Sequence, residues 1–469
     1  MNSVCQRKFQ GGVSFVEILV SMAVGVIILG GVTQTLLTNK KNNAWANEMA
    51  YVQENARYSL DILGRELRLA GYFGCGSGSA SKTFNSINGG GNLALDFGNT
   101  IRGFEGSVVD DIKDSGLVTT NAELWGYDNT PALVASQPKP DAFMLYGAST
   151  DFDLTVTKHN GPSAVIFTSR DPGEAGIADG DFLVVASQDC TDVGLFQKTT
   201  GGGSKTNHNA GNSVTPGNCI KGVRHINSFD CNSDPGTAPG NPSSYLEYGP
   251  GATLMRFSSF GFYIGKSTES DGIPALMKRT VINNNEALGY TFEELITGIE
   301  DMQLTYYIDT DGDLYPNYTA RADQVGTDDW GLVVAVRLEL VMRSYSELFD
   351  SNKSVSFNGK DYNDKYMRQL VTKTVQLRNG GSVGYLADGS SGGGTTGTTG
   401  DTGTDTGTDT GTDTGTDTGT DTGTDTGTDT GTDTGTDGGT DGDAGPQEGD
   451  PCTKSNGRDG TINAGGNCS

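Results

Sequence analysis

Hydrophobic and polar positions follow two successive patterns at the start of this chain. Between Ile18 and Val32 no residue is charged, and apolar side chains face every direction around a helix. From Trp45 onward a single stripe takes over. Trp45, Met49, Val52, Ala56, Leu60, Leu63, Leu67 and Ala70 recur every three or four residues, while Arg57, Asp61, Arg65, Glu66 and Arg68 lie off the stripe. Both patterns fit one helix over residues 13–70, with an apolar half at 13–38 and an amphipathic half at 42–70. Gly25, Gly30 and Gly31 lie in the apolar half. Glycine weakens a helix in water but permits close packing in a membrane. Gly71 and Gly74 supply the stop. At 1.5 Å per residue such a rod is about 85 Å long. Its half-buried stripe needs a partner, and a sheet formed by the rest of the chain is the candidate.

Beyond Cys75 the sequence becomes rich in Gly, Ser and Asn, then strand-like. Predicted strands are 142–146, 164–168, 182–186, 254–257, 261–264, 302–308, 332–342 and 370–377. They are short, rich in Val, Ile, Phe and Tyr, and bounded by Gly, Asp and Pro. The segment 292–298 is predicted to make a turn or two of helix. The expected class is α+β: a long N-terminal helix on a mainly antiparallel sheet, with the head spanning 71–385.

Position gives the apolar run its meaning. A short leader carrying Arg7 and Lys8 ends in Gly11-Gly12, and Glu17 stands at the mouth of the run. A carboxylate in a membrane helix costs about 2.5–3.5 kcal/mol on insertion scales, so it is rare and usually partnered. An ordinary secretory signal is cleaved after its apolar core. Here the glycine precedes the core, so the apolar segment is retained. The stretch Gly11-Gly12-Val13-Ser14-Phe15-Val16-Glu17 resembles the class III signal of type IV prepilins, although Val13 replaces the usual Phe. That resemblance implies cleavage by a prepilin peptidase between Gly12 and Val13, removing a leader at 1–12. It also implies methylation of the new N-terminus and an assembly role for Glu17. The alternative from length alone is a plain membrane anchor.

Several later stretches narrow the family. They are Gly71-Tyr72-Phe73-Gly74-Cys75, Gly180-Asp181-Phe182-Leu183-Val184-Val185, and Glu294 to Gln303 leading to Tyr306 and Asp309-Thr310-Asp311-Gly312-Asp313. Trp330 before Val333 to Leu338, Arg343-Ser344, and Val375-Gln376-Leu377-Arg378-Asn379 complete the set. Together they resemble the PilW minor pilins of type IV pili, relatives of the J-type minor pseudopilins of type II secretion, over about residues 9–380. The resemblance implies a pilin-like fold. It also implies a single-pass protein of the inner membrane that enters the pilus fibre or reaches the cell surface. Its partners would be the major pilin, other minor pilins and a tip adhesin. The function implied is priming of assembly or a place in the tip complex, supporting twitching, adhesion or DNA uptake. A type II secretion pseudopilin is the alternative.

Composition changes the picture mainly at the C-terminus. The net charge is −26, and about half of it lies beyond Gly394. Asp401 to Asp437 repeats Asp-Thr-Gly-Thr with no apolar side chain. Such a segment cannot bury enough surface to offset the entropy of ordering, so 386–450 reads as a disordered acidic spacer, and its threonines are candidates for O-linked sugars. Residues 451–469 form a small knob that Cys452 and Cys468 can close. No Lys/Arg cluster suggests direct nucleic-acid binding. Cys5 lies in the leader, which leaves Cys75, Cys190, Cys219, Cys231, Cys452 and Cys468. An even set in an exported chain reads as disulfides, with about 15 connectivities. The shortest loops favour 219–231 and 452–468, leaving 75 with 190. No Cys-x-x-Cys spacing suggests zinc.

Little in the sequence suggests catalysis. His159, His208 and His225 are scattered, and Gly201 to Thr206 lacks the Gly-Lys-Ser/Thr ending and the strand-to-helix frame of a phosphate loop. A non-enzymatic protein without a cofactor is expected, and a surface hydrolase is disfavoured. Asp309, Asp311 and Asp313 are the one candidate metal set, because alternate carboxylates on a loop can surround calcium. Against a standard calcium loop, Leu314 stands where Gly belongs and Ala320 where the bidentate Glu belongs. The other reading is a solvated acidic hairpin tip.

Overall fold

The computed structural model describes residues 14–74, 82–88, 92–126, 138–211, 213–224, 246–269, 272–284, 286–327 and 329–380, with short strand segments between 404 and 461. The architecture is α+β. Helix α1, Phe15–Leu69, is unbroken. Its apolar first half is exposed, with Phe15 at 75% and Ile27 at 74%, and it is long and apolar enough to cross a membrane.

The second half docks by the expected stripe. Val52, Ala56, Leu63, Leu67 and Ala70 are buried in the main hydrophobic cluster, with Met49 and Leu60 partly covered beside them. Trp45, the first residue of the stripe, stays 46% exposed, so contact with the head becomes close only further along. Two interruptions of the stripe have packing reasons. Ser59 is buried because its hydroxyl donates to Asn55 O at 2.5 Å. Gly64 leaves room for Lys373, whose Nζ crosses the helix and donates to Leu60 O at 3.1 Å; a Cβ at Gly64 would stand 3.1 Å from that nitrogen.

The helix stops where a side chain no longer fits. Gly71 has φ +77°, and a Cβ there would lie 2.5 Å from Thr100 Oγ1. Gly71 N donates to Tyr146 O at 2.7 Å, and Asn379 Nδ2 donates to Ala70 O at 2.9 Å. The helix end is thereby fastened to both the early and the late part of the head.

The larger sheet contains β1 (Lys82–Asn85), β2 (Ile101–Phe104), β3 (Ala142–Asn160), β4 (Val165–Thr168), β5 (Phe182–Ala186), β6 (Asp192–Gln197), β7 (Lys205–Asn207), β8 (Thr253–Lys266), β9 (Pro274–Asn284) and β10 (Ala287–Thr297). Its main path runs β1-β6-β5-β8-β3-β4-β7, with β9 and β10 extending from β8 and with β2 beside β3. Only β1 and β6 pair in parallel among the described head strands. A four-stranded antiparallel sheet carries the helix. It is built from β11 (Ile299–Ile308), β12 (Tyr318–Ala320) and β13 (Val333–Arg343). After the β14–β15 hairpin (Lys353–Phe357, Lys360–Asp364), β16 (Arg368–Gln376) completes the order β12-β11-β13-β16.

Two expectations need correction. Residues 292–298 are not helical; they end β10, which pairs with β9 from Ala287 to Thr297. Alternation is obscured there because consecutive Phe292 and Glu293 are both exposed and a bulge falls between Glu294 and Ile296. The separate strands expected at 254–257 and 261–264 are one strand, β8. Gly261 lies inside it because a Cβ would meet Leu117 at 2.2 Å and Phe143 O at 2.7 Å.

Residues Met1–Ser390 and Ser391–Ser469 form separate compact units. In the second, the Thr-Asp steps beginning at 404, 408, 412, 416 and 420 each pair in parallel with the one four repeats further on, the last of these being Thr420–Asp421 with Thr436–Asp437. Pro451–Thr453 pairs with Asp459–Thr461. These pieces are two or three residues long.

The two halves of α1 should respond differently to truncation. Leu63→Ala removes a fully buried side chain from the sheet contact and should cost about 2–5 kcal/mol of head stability. Leu29→Ala, at a position 66% exposed, should leave the melting transition of detergent-solubilised protein in place. Equal effects would mean that docking does not stabilise the head.

Candidate functional site

Three groups of residues can carry function: the helix start, the aspartate loop, and the buried polar clusters of the head. At the helix start, Ser14 N donates to Glu17 Oε2 at 3.3 Å. Glu17 is exposed, and it is the one carboxylate in the first turn. Gly12 and Val13 lie outside the described residues.

The aspartate loop follows β11. Asp309, Asp311 and Asp313 place one carboxylate oxygen each within 4.8 Å of the others, so the sequence-predicted set does come together. Asp309 is buried, and its oxygens accept from the backbone N–H groups of Asp311 (3.1 Å), Gly312 (2.7 Å) and Leu314 (2.7 Å). Burial raises its pKa, but these donors outweigh it and leave the carboxyl below its ordinary value. Asp313 Oδ1 accepts from Tyr315 N at 2.8 Å, and Asn317 joins Thr310 to Asp311. Hydrogen bonds within the loop therefore hold its shape.

At the opposite end of β11 from the loop the second sheet is tied by buried charge. The Arg368 side chain is 1% exposed. Its Nε donates to Glu300 Oε2 at 2.6 Å, and Nη1 and Nη2 donate to the two oxygens of Asp364 at 2.7 Å. Arg368 hydrogen bonding holds Asp364 below the usual carboxylate range. The Arg343 guanidinium lies over the rings of Tyr366 (4.3 Å) and Trp125 (5.4 Å), and its Nη2 donates to Gly272 O at 3.0 Å.

Sequence spacing missed one pair. His159 and His208 are buried with their Nε2 atoms 3.1 Å apart. The Tyr248 N–H donates to His159 Nδ1 at 3.0 Å. That bond puts the His159 proton on Nε2, where it is donated to His208 Nε2. A shared metal would need both Nε2 lone pairs, so the pair suits a hydrogen bond and not a metal. Burial pushes His159 down to about 4, against Glu247, and pushes His208 down to about 3 with help from His159. No spacing in the sequence links them. His225 lies outside the described residues.

Cys190 and Cys219 each take part in a disulfide. Cys75 and Cys231 lie outside the described residues, as do Cys468 and the Cys452 side chain, and with them every predicted pairing.

Comparison with known families falls on the half of the head that carries the helix. Residues 261–379 match the family model described as Type IV Pilus-assembly protein W. The match spans about a quarter of the chain, from within β8 through β16, and includes the aspartate loop and the Arg368 cluster. It supports a PilW-type protein with a role in type IV pilus assembly. No match is found among curated proteins or solved structures.

The histidine pair sets a pH dependence. Unfolded histidine titrates near 6.5, above both folded values, so the unfolded chain takes up protons first and stability falls as pH drops below about 6.5. Thermal melting at a series of pH values should show this slope down towards pH 4. His208→Leu should flatten it, even if the variant is less stable at neutral pH. An unchanged slope would assign acid sensitivity to other groups.

Proposed function

We propose that this chain is a minor pilin that helps to prime type IV pilus assembly or to form its tip complex, in a mechanical and not an enzymatic role. The observation that carries this reading is the division of α1. One continuous helix is apolar and uncovered over its first half, bears a lone carboxylate at its start, and is clamped to the head over its second half. The family match over 261–379 supports the same reading.

In this mechanism the exposed half lies in the inner membrane after cleavage between Gly12 and Val13. A carboxylate at that depth is poorly solvated. Glu17 then pairs with the N-terminal amine of a neighbouring subunit, which offsets the cost of its charge and sets the axial register between helices. As the helix leaves the lipid, its apolar surface is covered by other pilin helices. The head makes lateral contacts with other minor pilins, the major pilin and a tip adhesin. Twitching, adhesion or DNA uptake would follow from the completed fibre.

Glu17→Ala removes the membrane cost, so the precursor should insert and be processed as well as wild type. It also removes the partner of the neighbouring amine, so the protein should be absent from sheared pili and accumulate in the membrane fraction. Glu17→Gln should behave in the same way if charge pairing governs recruitment. Normal amounts of both variants in the fibre, measured by blotting the two fractions, would contradict the mechanism.

A further inference from the structure

A cavity of about 290 Å³ opens beside β2, between the short helix α2 (Val109–Asp114) and the turn at Ala322–Gln324. It shares no residue with the helix start, the aspartate loop or the histidine pair. Leu93, Phe104, Val325 and Trp330 give it apolar walls. Glu105, Asp111, Asp114 and Asp323 bring four carboxylates to it, against two guanidinium groups: Arg102 in the lining, over the Trp330 ring at 5.3 Å, and Arg321 beside Glu105 and Asp323.

Glu105 is the decisive residue. It is 6% exposed, and its Oε2 has no hydrogen-bond partner. Its Oε1 has Arg321 Nη1 at 3.7 Å, too far for a hydrogen bond. The Arg321 side chain is half exposed and also reaches Asp323 at 3.3 Å. Nearby, the Tyr306 hydroxyl is buried without a partner, and glycine at 103 makes room for it: a Cβ there would lie 2.0 Å from that oxygen. Asp141, underneath, is by contrast satisfied by the N–H groups of Gly106 and Leu304, both at 2.9 Å. A buried acceptor left unpaired carries the cost of its lost hydration, and that cost is larger for a charged one. This cavity therefore presents negative charge and an unmet acceptor to whatever enters.

The spacing of the carboxylates selects the kind of cation. A hard metal ion needs several oxygens converging at about 2.0–2.6 Å. Among the described residues, the acidic groups that converge closely enough are Asp309, Asp311 and Asp313, not those of this cavity. Carboxylates spread around apolar walls suit a long side chain or small amine, whose stem packs on the walls while its charged head is hydrogen-bonded.

We propose that this cavity binds an ammonium or guanidinium group carried on an aliphatic stem, with the Glu105 carboxylate as its anchor. The stem packs against Leu93, Phe104 and Val325, and the surrounding aspartates favour a cation over a neutral group. The same chemistry can come from a free amine or from a lysine or arginine side chain of a partner protein.

Isothermal titration of the full chain in detergent tests this with agmatine, cadaverine, the capped peptide Gly-Lys-Gly, 1-pentanol and calcium. At least one of the three basic probes should bind at one site per chain, more weakly as salt is raised. Glu105→Gln keeps the shape and should weaken binding about tenfold or more, or about 1.4 kcal/mol. Val325→Phe fills the cavity without altering a charge and should also block binding, which guards against a folding defect in the first variant. Peptide binding would identify a partner's side chain as the source; binding of the free amines with exclusion of the peptide would identify a small molecule. The proposal fails if no basic probe binds, if pentanol binds as well as the amines, if calcium binds at Glu105 in their place, or if both variants bind amines like wild type.

Discussion

One helix has to satisfy two surroundings without a break, and the rest of the molecule depends on that constraint. The 55 residues of α1 span about 83 Å at 1.5 Å per residue. Over the first half no part of the head covers the apolar surface. Over the second half Val52, Leu63 and Leu67 are completely buried. The junction between these regimes is polar and specific. Glu48 accepts from the N–H groups of Tyr345 (2.8 Å) and Ser346 (3.2 Å), just beyond β13, and Lys41 reaches Asp350 at 3.0 Å. Glu48 thus ties the helix to the end of β13 where the two regimes meet, with the exposed Lys41–Asp350 pair adding little.

The sheet under the helix is fixed in register as well. Alternating burial along β11 and β13 excludes a one-residue slip, but a two-residue slip keeps the same faces buried. The buried Arg368 guanidinium, held by Glu300 at the start of β11 and by Asp364 just before β16, discriminates between registers. Such a cluster adds little net stability because of its desolvation cost, yet losing one partner strands a buried charge at about 3–5 kcal/mol. Its value lies in specifying one arrangement of the strands that receive the helix.

Legibility in the sequence followed the range of the interactions. The helix and its stripe were legible because a 3.6-residue period is a local signal, and Gly71 marked the stop because its left-handed conformation is also local. The aspartate loop was legible as a cluster, since its three carboxylates are near neighbours in the chain. That Asp309 serves three backbone N–H groups was not legible, because burial depends on the packing of β11 and β13. The histidine pair was missed for the same reason. His159 and His208 are distant in sequence and meet only because β4 lies between β3 and β7. Likewise the cavity at Glu105 joins residues from β2, α2 and the segment after β12, and no spacing rule links them. Residues 292–298 escaped the alternation because consecutive Phe292 and Glu293 are both exposed and a bulge follows Glu294.

The central claim is that the uncovered apolar half of α1 begins a processed, fibre-inserted subunit. Intact-mass measurement of the protein recovered from purified, sheared pili tests it most directly. The account predicts a chain that begins at Val13 and retains the whole apolar segment. A fibre-associated species that still carries Met1, or one cut beyond the apolar run, would contradict it.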